Sequence, residues 1–228
     1  MCGRYTLATT DPSQLRARFA IGERLEVRRR FNVAPGDDVL AVVRRPRSEP
    51  EGALLRWGLV PHWADDPREL AAKTINARAE TVAERPAYRD AFARRRCLIL
   101  ADGFYEWSAG TPHWITREDG EPFAFAGLWA SWRPREAGDV EPLRSCAIVT
   151  TAAAGPVREL HDRMPVILAP FEEERWLDPD APVDELHELL SPTAPPPPLA
   201  MRPVSRAVND ARHDAPDCLD PPEQASLF

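Results

Sequence analysis

The sequence predicts a single α+β domain, with a curved, mostly antiparallel β-sheet or barrel-like core flanked by short helices. Three observations lead there. At 228 residues the chain is long enough to bury one sizeable core. Its apolar segments are short runs bounded by Gly, Pro and charged residues, such as DVLAVVRR (38–45), ALLRWGLV (53–60) and SCAIVTTAA (145–153). These runs do not alternate regularly with helices, and no Gly-rich phosphate loop follows any of them, which argues against a doubly wound parallel sheet.

In chain order, TTDPSQLRARF opens a helix, with Thr10 or Asp11 as cap and Pro12 in the first turn. The runs 38–45 and 53–60 are strands across a polar, Pro-containing turn. RPAYRDAFARR (85–95) has helical spacing, and CLILADGFYEWS (97–108) reads as strand, Gly turn and strand. In 113–132, Asp119-Gly120 between two apolar runs is a hairpin signal. The segments 145–153 and MPVILA (164–169) are buried strands, 170–190 is helical and acidic, SPTAPPPPL (191–199) is a stiff connector, and AMRPVS (200–205) is a further strand. The polar stretch from Asp210 onward is expected to be flexible, which divides the chain into a domain at 1–209 and a tail at 210–228.

No apolar run approaches the roughly 20 residues of a membrane helix. The first twenty residues lack a secretory core, so a cytoplasmic, nucleoid-associated protein without membrane contact is expected. Cys2, Cys97, Cys146 and Cys218 form no Cys-x-x-Cys pair and no ligand spacing with histidine; no metal or other cofactor is expected. The net charge of −7 argues against a simple nucleic-acid binder. It is unevenly spread, however: residues 1–100 hold 19 basic and 13 acidic side chains, which permits a basic face. Lys73 is the only lysine among 29 basic residues, and arginine suits phosphate but does not form Schiff bases.

Polar residues cluster at the strand ends and turns of CGRY (2–5), FNVAPG (31–36), RWGLVPHW (56–63), KTINARAET (73–81), ADGFYEW (101–107), VTTAAA (149–154) and HDRMP (161–165). Taken singly each is weak. Asn76 reads equally as a turn residue, Glu106 as the outward member of an alternating strand, and His161 as a helix-end residue. Together, and in this order, they resemble the SOS-response-associated peptidase (SRAP) family, also described as abasic-site-shielding, from Cys2 to about Asn209.

That resemblance implies the SRAP fold and a chemistry centred on Cys2. Once Met1 is removed, Cys2 carries an amine and a thiol on adjacent carbons. The amine condenses with the aldehyde of a ring-opened abasic site in single-stranded DNA, and the thiol closes a thiazolidine. The covalent DNA–protein crosslink would shield the site from strand cleavage. The family implies that Asn76, Glu106 and His161 act with Cys2, as positioning and acid–base groups. Arg4, Arg78 and Arg163 would hold flanking phosphates. Pro35, Trp63 and Trp107 would offer stacking or apolar surfaces, and Thr150 would touch the sugar or the amine. Three other activities stay open: self-processing or peptidase action by an N-terminal thiol, a lyase-type step, and non-covalent recognition of modified bases. Residues 224–228, QASLF, resemble a sliding-clamp docking peptide in which Gln224, Leu227 and Phe228 make the contacts. A monomer is the default expectation.

Overall fold

The computed structural model describes residues 2–8, 11–19, 21–134, 140–191 and 197–223. Its first sheet contains β1 (Tyr5–Leu7), β2 (Arg30–Val33), β7 (Gly103–Ser108), β8 (Thr111–Arg117) and β13 (Leu199–Pro203), in the order β13-β8-β7-β1-β2. The second sheet contains β3 (Asp38–Val43), β4 (Glu51–Trp57), β6 (Arg96–Ala101), β9 (Phe123–Trp132) and β10 (Leu143–Ala152). These five close on themselves, because β10 pairs with β4 at one side and with β9 at the other. All the pairings round this barrel are antiparallel except β4–β10. Three short strands extend it: β5 (Asn76–Arg78) and β11 (Arg163–Pro165) on β10, and β12 (Ile167–Leu168) on β9.

Five short helices flank the sheets: α1 (Pro12–Phe19), α2 (Pro67–Lys73), α3 (Arg89–Arg94), α4 (Pro170–Leu177) and α5 (Val183–Leu189). Asp66 caps α2, its carboxylate accepting from the amides of Arg68 and Glu69. At α1 the Asp11 carboxylate accepts from the Ser13 amide at 2.7 Å, as a cap does. The expected helix at 170–190 is two helices, broken at Asp178–Pro182 because Pro179 and Pro182 cannot continue the backbone ladder.

The barrel strands read as near-continuous apolar runs because both faces are covered. Leu40 and Val42 of β3, with Leu98 and Leu100 of β6, pack toward α3, α4 and α5. The alternate residues Val39, Ala41, Val43, Cys97 and Ile99 pack with Tyr5, Phe104 and Ile115 of the first sheet.

Two expectations are corrected. Asp119-Gly120 does not make a hairpin: β8 pairs with β7 and β13, whereas β9 pairs with β6, β10 and β12. The turn instead carries the chain between sheets. β9 is buried over most of its length and needs cover on both faces, while β8 is only partly buried. The real hairpin joins β7 to β8 through Ala109-Gly110, both at positive φ (49° and 79°), as a two-residue primed turn demands.

The second correction concerns the tail. Residues 210–223 fold onto the domain, with short 3-10 turns at Arg206–Asn209 and Pro216–Leu219 and a buried Cys218 packed near Tyr105, Val204 and Val208. The reason is polar. The Asp214 carboxylate accepts from the amides of Phe31 (2.6 Å) and Asn32 (2.9 Å) and pairs with Arg30. The side chains Gln224, Leu227 and Phe228 lie outside the described residues.

Gly103 begins β7 where the Trp114 indole crosses it. A Cβ there would stand 2.2 Å from Trp114 Nε1. Because that ring is itself hydrogen-bonded to Thr6 at 3.0 Å, it has little freedom to retreat. Gly103→Ala is expected to lower stability by about 1–3 kcal/mol. Urea unfolding would check it, and an unchanged midpoint would contradict the packing described.

Candidate functional site

The site is organised by the position of β1. This three-residue strand is an inner strand of its sheet, pairing with β2 and β7. The Tyr105 amide donates to Arg4 O at 3.0 Å, so pairing with β7 continues toward the N-terminus. One step further along that register sets Gly3 opposite Glu106. Side chains lock the strand. Thr6 Oγ1 donates to Asp102 Oδ1 (2.6 Å), and the other Asp102 oxygen accepts from the Ala8 amide (2.6 Å). Arg4 donates to Asn32 Oδ1 (2.9 Å) and Val208 O (2.7 Å), while Asn32 Nδ2 donates to Asp210 O (2.9 Å) and His213 O (2.7 Å).

Cys2 is fully buried. Asn76, from β5, donates through Nδ2 to Cys2 O at 2.8 Å. Asn76 is itself fixed: Tyr88 Oη donates to its carbonyl (2.9 Å), and β5 is registered on β10 with Asn76 beside Ile148. Its Oδ1 is buried without a hydrogen-bond partner, an acceptor directed into the site. Burial pushes the Cys2 thiol well above the usual thiol range, and the Glu106 carboxylate pushes it further. Glu106 is buried too, at 4% exposure. Burial raises its carboxyl, and His161 draws it partly back down. The Glu106 charge is thus felt by Cys2, and that of His161 by Glu106.

His161 sits in the loop between β10 and β11. The Arg163 amide donates to its Nδ1 at 2.9 Å, so the neutral ring that accepts this bond carries its proton on Nε2. Asp162 Oδ1, 2.8 Å from the same nitrogen, pairs only with the charged ring.

Of the expected residues, Asn76 bonds Cys2 directly, while Glu106 and His161 are linked to it through their charges. The structure treats the expected DNA contacts unevenly. The Arg78 side chain is exposed beside β10, and its charge acts on Glu80. Arg4 is bonded inward, as above. Arg163 is only 11% exposed and holds Glu80 and Thr150. Trp63 is 42% exposed, whereas Trp107 is half-buried with Nε1 donating to Asn209 Oδ1 at 2.8 Å. Pro35 is exposed at its turn. Thr150 is fully buried, its hydroxyl 3.4 Å from Ala77 O.

Sequence reasoning gave no role to Asn32, Glu80 or Asp102. All three lie inside or beside the quoted motifs, but their partners are far away in the chain. Nor did it foresee that His213, Asp217 and Cys218 come together as three donors of metal-ligating type, their ligand atoms within 4.8 Å of one another. His213 Nε2 already contacts both Asp217 oxygens, at 2.7 and 2.9 Å.

The chain is similar to known proteins over most of its length. The sequence model of a family described as SOS response associated peptidase (SRAP) matches residues 1–211. The abasic site processing protein YoaM of Bacillus subtilis is 38% identical over 231 residues, 96% of this chain and 98% of that one. The abasic site processing protein YoqW of the same organism is 37% identical, over 96% and 99%. A Gallus gallus relative, abasic site processing protein HMCES, is 36% identical over 74% of this chain and 57% of its own. Among solved structures, a Bordetella bronchiseptica protein superposes with a TM-score of 0.75 at 30% identity, covering 90% of this chain and all of that one. A Bacteroides thetaiotaomicron protein shares the fold, with a TM-score of 0.81 at 22% identity over 96% and 99% of the two chains. Among the described residues no helix is long and apolar enough to cross a membrane.

The buried Glu106 carboxyl has a thermodynamic consequence. Its pKa in the folded protein lies above the unfolded value. Below the unfolded value both states are protonated and there is no penalty. As pH rises through the unfolded and then the folded value, the buried charge costs stability. Glu106→Gln is therefore expected to melt higher than wild type at pH 7, with the difference closing toward about pH 4. Melting curves across pH would check this; a pH-independent difference would contradict it.

Proposed function

The chain belongs to the SOS response associated peptidase family, and from that premise we propose that it processes abasic sites by forming a covalent crosslink between Cys2 and single-stranded DNA. The observation that carries the reading is the setting of Cys2. Asn76 holds its carbonyl, the Glu106 charge acts on its thiol, and His161 in turn acts on Glu106.

Removal of Met1 leaves Cys2 with a free α-amine. Because the thiol is held protonated by burial and by the Glu106 charge, the neutral amine attacks first. It adds to the aldehyde carbon of the ring-opened sugar, and loss of water gives an iminium ion. The thiol sulfur then adds to that carbon and its proton passes to an acceptor, closing a five-membered thiazolidine with one water released overall. Glu106 and His161 are the available acceptors and donors for sugar opening, for loss of water and for the thiol proton. Asn76 keeps the Cys2 backbone in the attacking geometry.

Arg78, exposed beside β10, is placed to hold a flanking phosphate, and exposed Trp63 offers a stacking face. Such a protein works on chromosomal DNA in the cytoplasm. The QASLF terminus fits docking on the replication clamp, Leu227 and Phe228 filling a groove and Gln224 bonding at its side.

Incubation with single-stranded DNA bearing one abasic site is expected to give a shifted band on a denaturing gel, absent in Cys2→Ala. Cys2→Ser keeps the amine and should give only a labile adduct. A residue retained between Met1 and Cys2 should abolish the band; crosslinking that survives it would sink the mechanism. Cleavage of a generic protein substrate with no shifted band would favour a peptidase instead. A peptide of the last ten residues is expected to bind the clamp and to lose binding with Phe228→Ala. Failure of the wild-type peptide to bind would end that part of the reading.

A further inference from the structure

The segment that folds back against β2 brings three metal-ligating side chains together. His213 precedes the 3-10 turn Pro216–Leu219, and Asp217 and Cys218 lie within it. The turn closes with the Cys218 amide donating to Ala215 O at 3.1 Å. One ligand atom from each side chain then lies within 4.8 Å of the others. No Cys-x-x-Cys pair or second histidine marks these residues in the sequence; the turn is what assembles them.

The fold fixes the backbone that carries all three. Asn32 Nδ2 donates to His213 O at 2.7 Å, and the adjacent Asp214 is bonded to the amides of Phe31 and Asn32 and paired with Arg30. Cys218 is buried against Tyr105, Val204 and Val208, with its Sγ 3.5 Å from His213 O. Donors held in place by other contacts lose little conformational freedom when a ligand arrives.

We propose that His213, Asp217 and Cys218 form a zinc-type metal site that clips the C-terminal segment to the domain, with a water as fourth ligand on the exposed side of Asp217. The proposal is independent of the abasic-site reading. The donor set selects the metal: imidazole nitrogen and thiolate sulfur suit Zn2+, whereas Mg2+ and Ca2+ demand oxygen. The charges balance, because the dication meets one thiolate and one carboxylate, and the thiol proton of Cys218 passes to solvent. The surrounding field is favourable as well: the Asp217 and Asp214 carboxylates both act on Cys218, with Arg4 opposing them. The geometry needs only small adjustments. Ligands of a tetrahedral zinc stand about 3.3–3.6 Å apart. His213 Nε2 now sits 2.7 and 2.9 Å from the Asp217 oxygens, so this pair would open slightly and turn toward the sulfur. Both side chains are part-exposed, at 38% and 51%, and a solvent-screened ion pair is cheap to rearrange.

The test uses untagged full-length protein, freed of metal with a chelator and carrying Cys2→Ala so that the terminal amine and thiol cannot chelate. Titration with Co2+ as a probe is expected to give one equivalent of a tetrahedral spectrum with a thiolate charge-transfer band. Zn2+ should displace the Co2+ and raise the melting temperature with its concentration, while Mg2+ does neither. Cys218→Ser should lose the charge-transfer band, and His213→Asn and Asp217→Asn should each weaken binding by about tenfold or more. His213→Asn alters a part-exposed side chain and carries the test if Cys218→Ser does not fold. Absence of the charge-transfer band in the Cys2→Ala protein would overturn the proposal. So would a band and thermal shift that survive His213→Asn and Cys218→Ser undiminished, since the metal would then be held elsewhere.

Discussion

The structure depends on holding a residue beside the chain terminus as firmly as a core residue. Chain ends normally fray, and a three-residue strand has few ladder bonds of its own. Here β1 is flanked on both sides, and its polar side chains are locked from two directions. Asp102, at the crossing from barrel strand β6 to sheet strand β7, takes the Thr6 hydroxyl and the Ala8 amide. Asn32, fully buried, accepts from Arg4 and donates to carbonyls of the C-terminal segment. Each partner left unmatched in such a network would cost on the order of 1–3 kcal/mol, so the groups hold one another in place. Cys2 inherits this rigidity through Arg4 and Tyr5.

The barrel supplies the other half of the site. β10 lies beside β4, β5, β9 and β11, so one strand registers Asn76, Thr150 and Arg163 together. Arg96 fastens the helices that cover the barrel. Buried at 2% exposure, it donates to Phe92 O and Ala93 O at the end of α3 and to Trp176 O near the end of α4. Burial lowers its pKa to about 10, with Asp178 opposing, so it stays charged at neutral pH. A cation over C-terminal carbonyls also complements the helix dipoles.

The strands were legible because their signals are local apolar runs, and short motifs single out Cys2, Asn76, Glu106 and His161, of which Asn76 is seen to bond Cys2. What was not legible depends on partners distant in sequence. Asp119-Gly120 carries a hairpin signal in isolation, yet the strands either side of it need different amounts of cover and go to different sheets. The segment beyond Asp210 is polar and Pro-containing, which reads as tail. Its Asp214 meets Arg30 and two amides of β2 only once the fold exists. Arg4 and Arg163 look like phosphate ligands by position, and nothing local shows that the fold also gives them Asn32, Val208 and Glu80 as partners.

The same distinction bears on charge. The surplus of arginine in the first hundred residues suggests a broad basic face, but acidic residues from the other half fold back onto it. Arg30 pairs with Asp214 as well as Asp37, and Arg18 pairs with Glu173. Arg45 and Arg56 are paired within or beside their own strands and turns. Each internal pair removes a positive charge from the set that could release counterions from DNA, and affinity for a strand scales with that set. A net charge of −7 gives the chain as a whole little non-specific attraction to DNA. Under the proposed crosslinking, selectivity would come from chemistry at one carbon of the damaged sugar, which is where a rigidly held Cys2 is useful. Weak general affinity combined with the proposed covalent step would confine stable capture to sites that present an aldehyde.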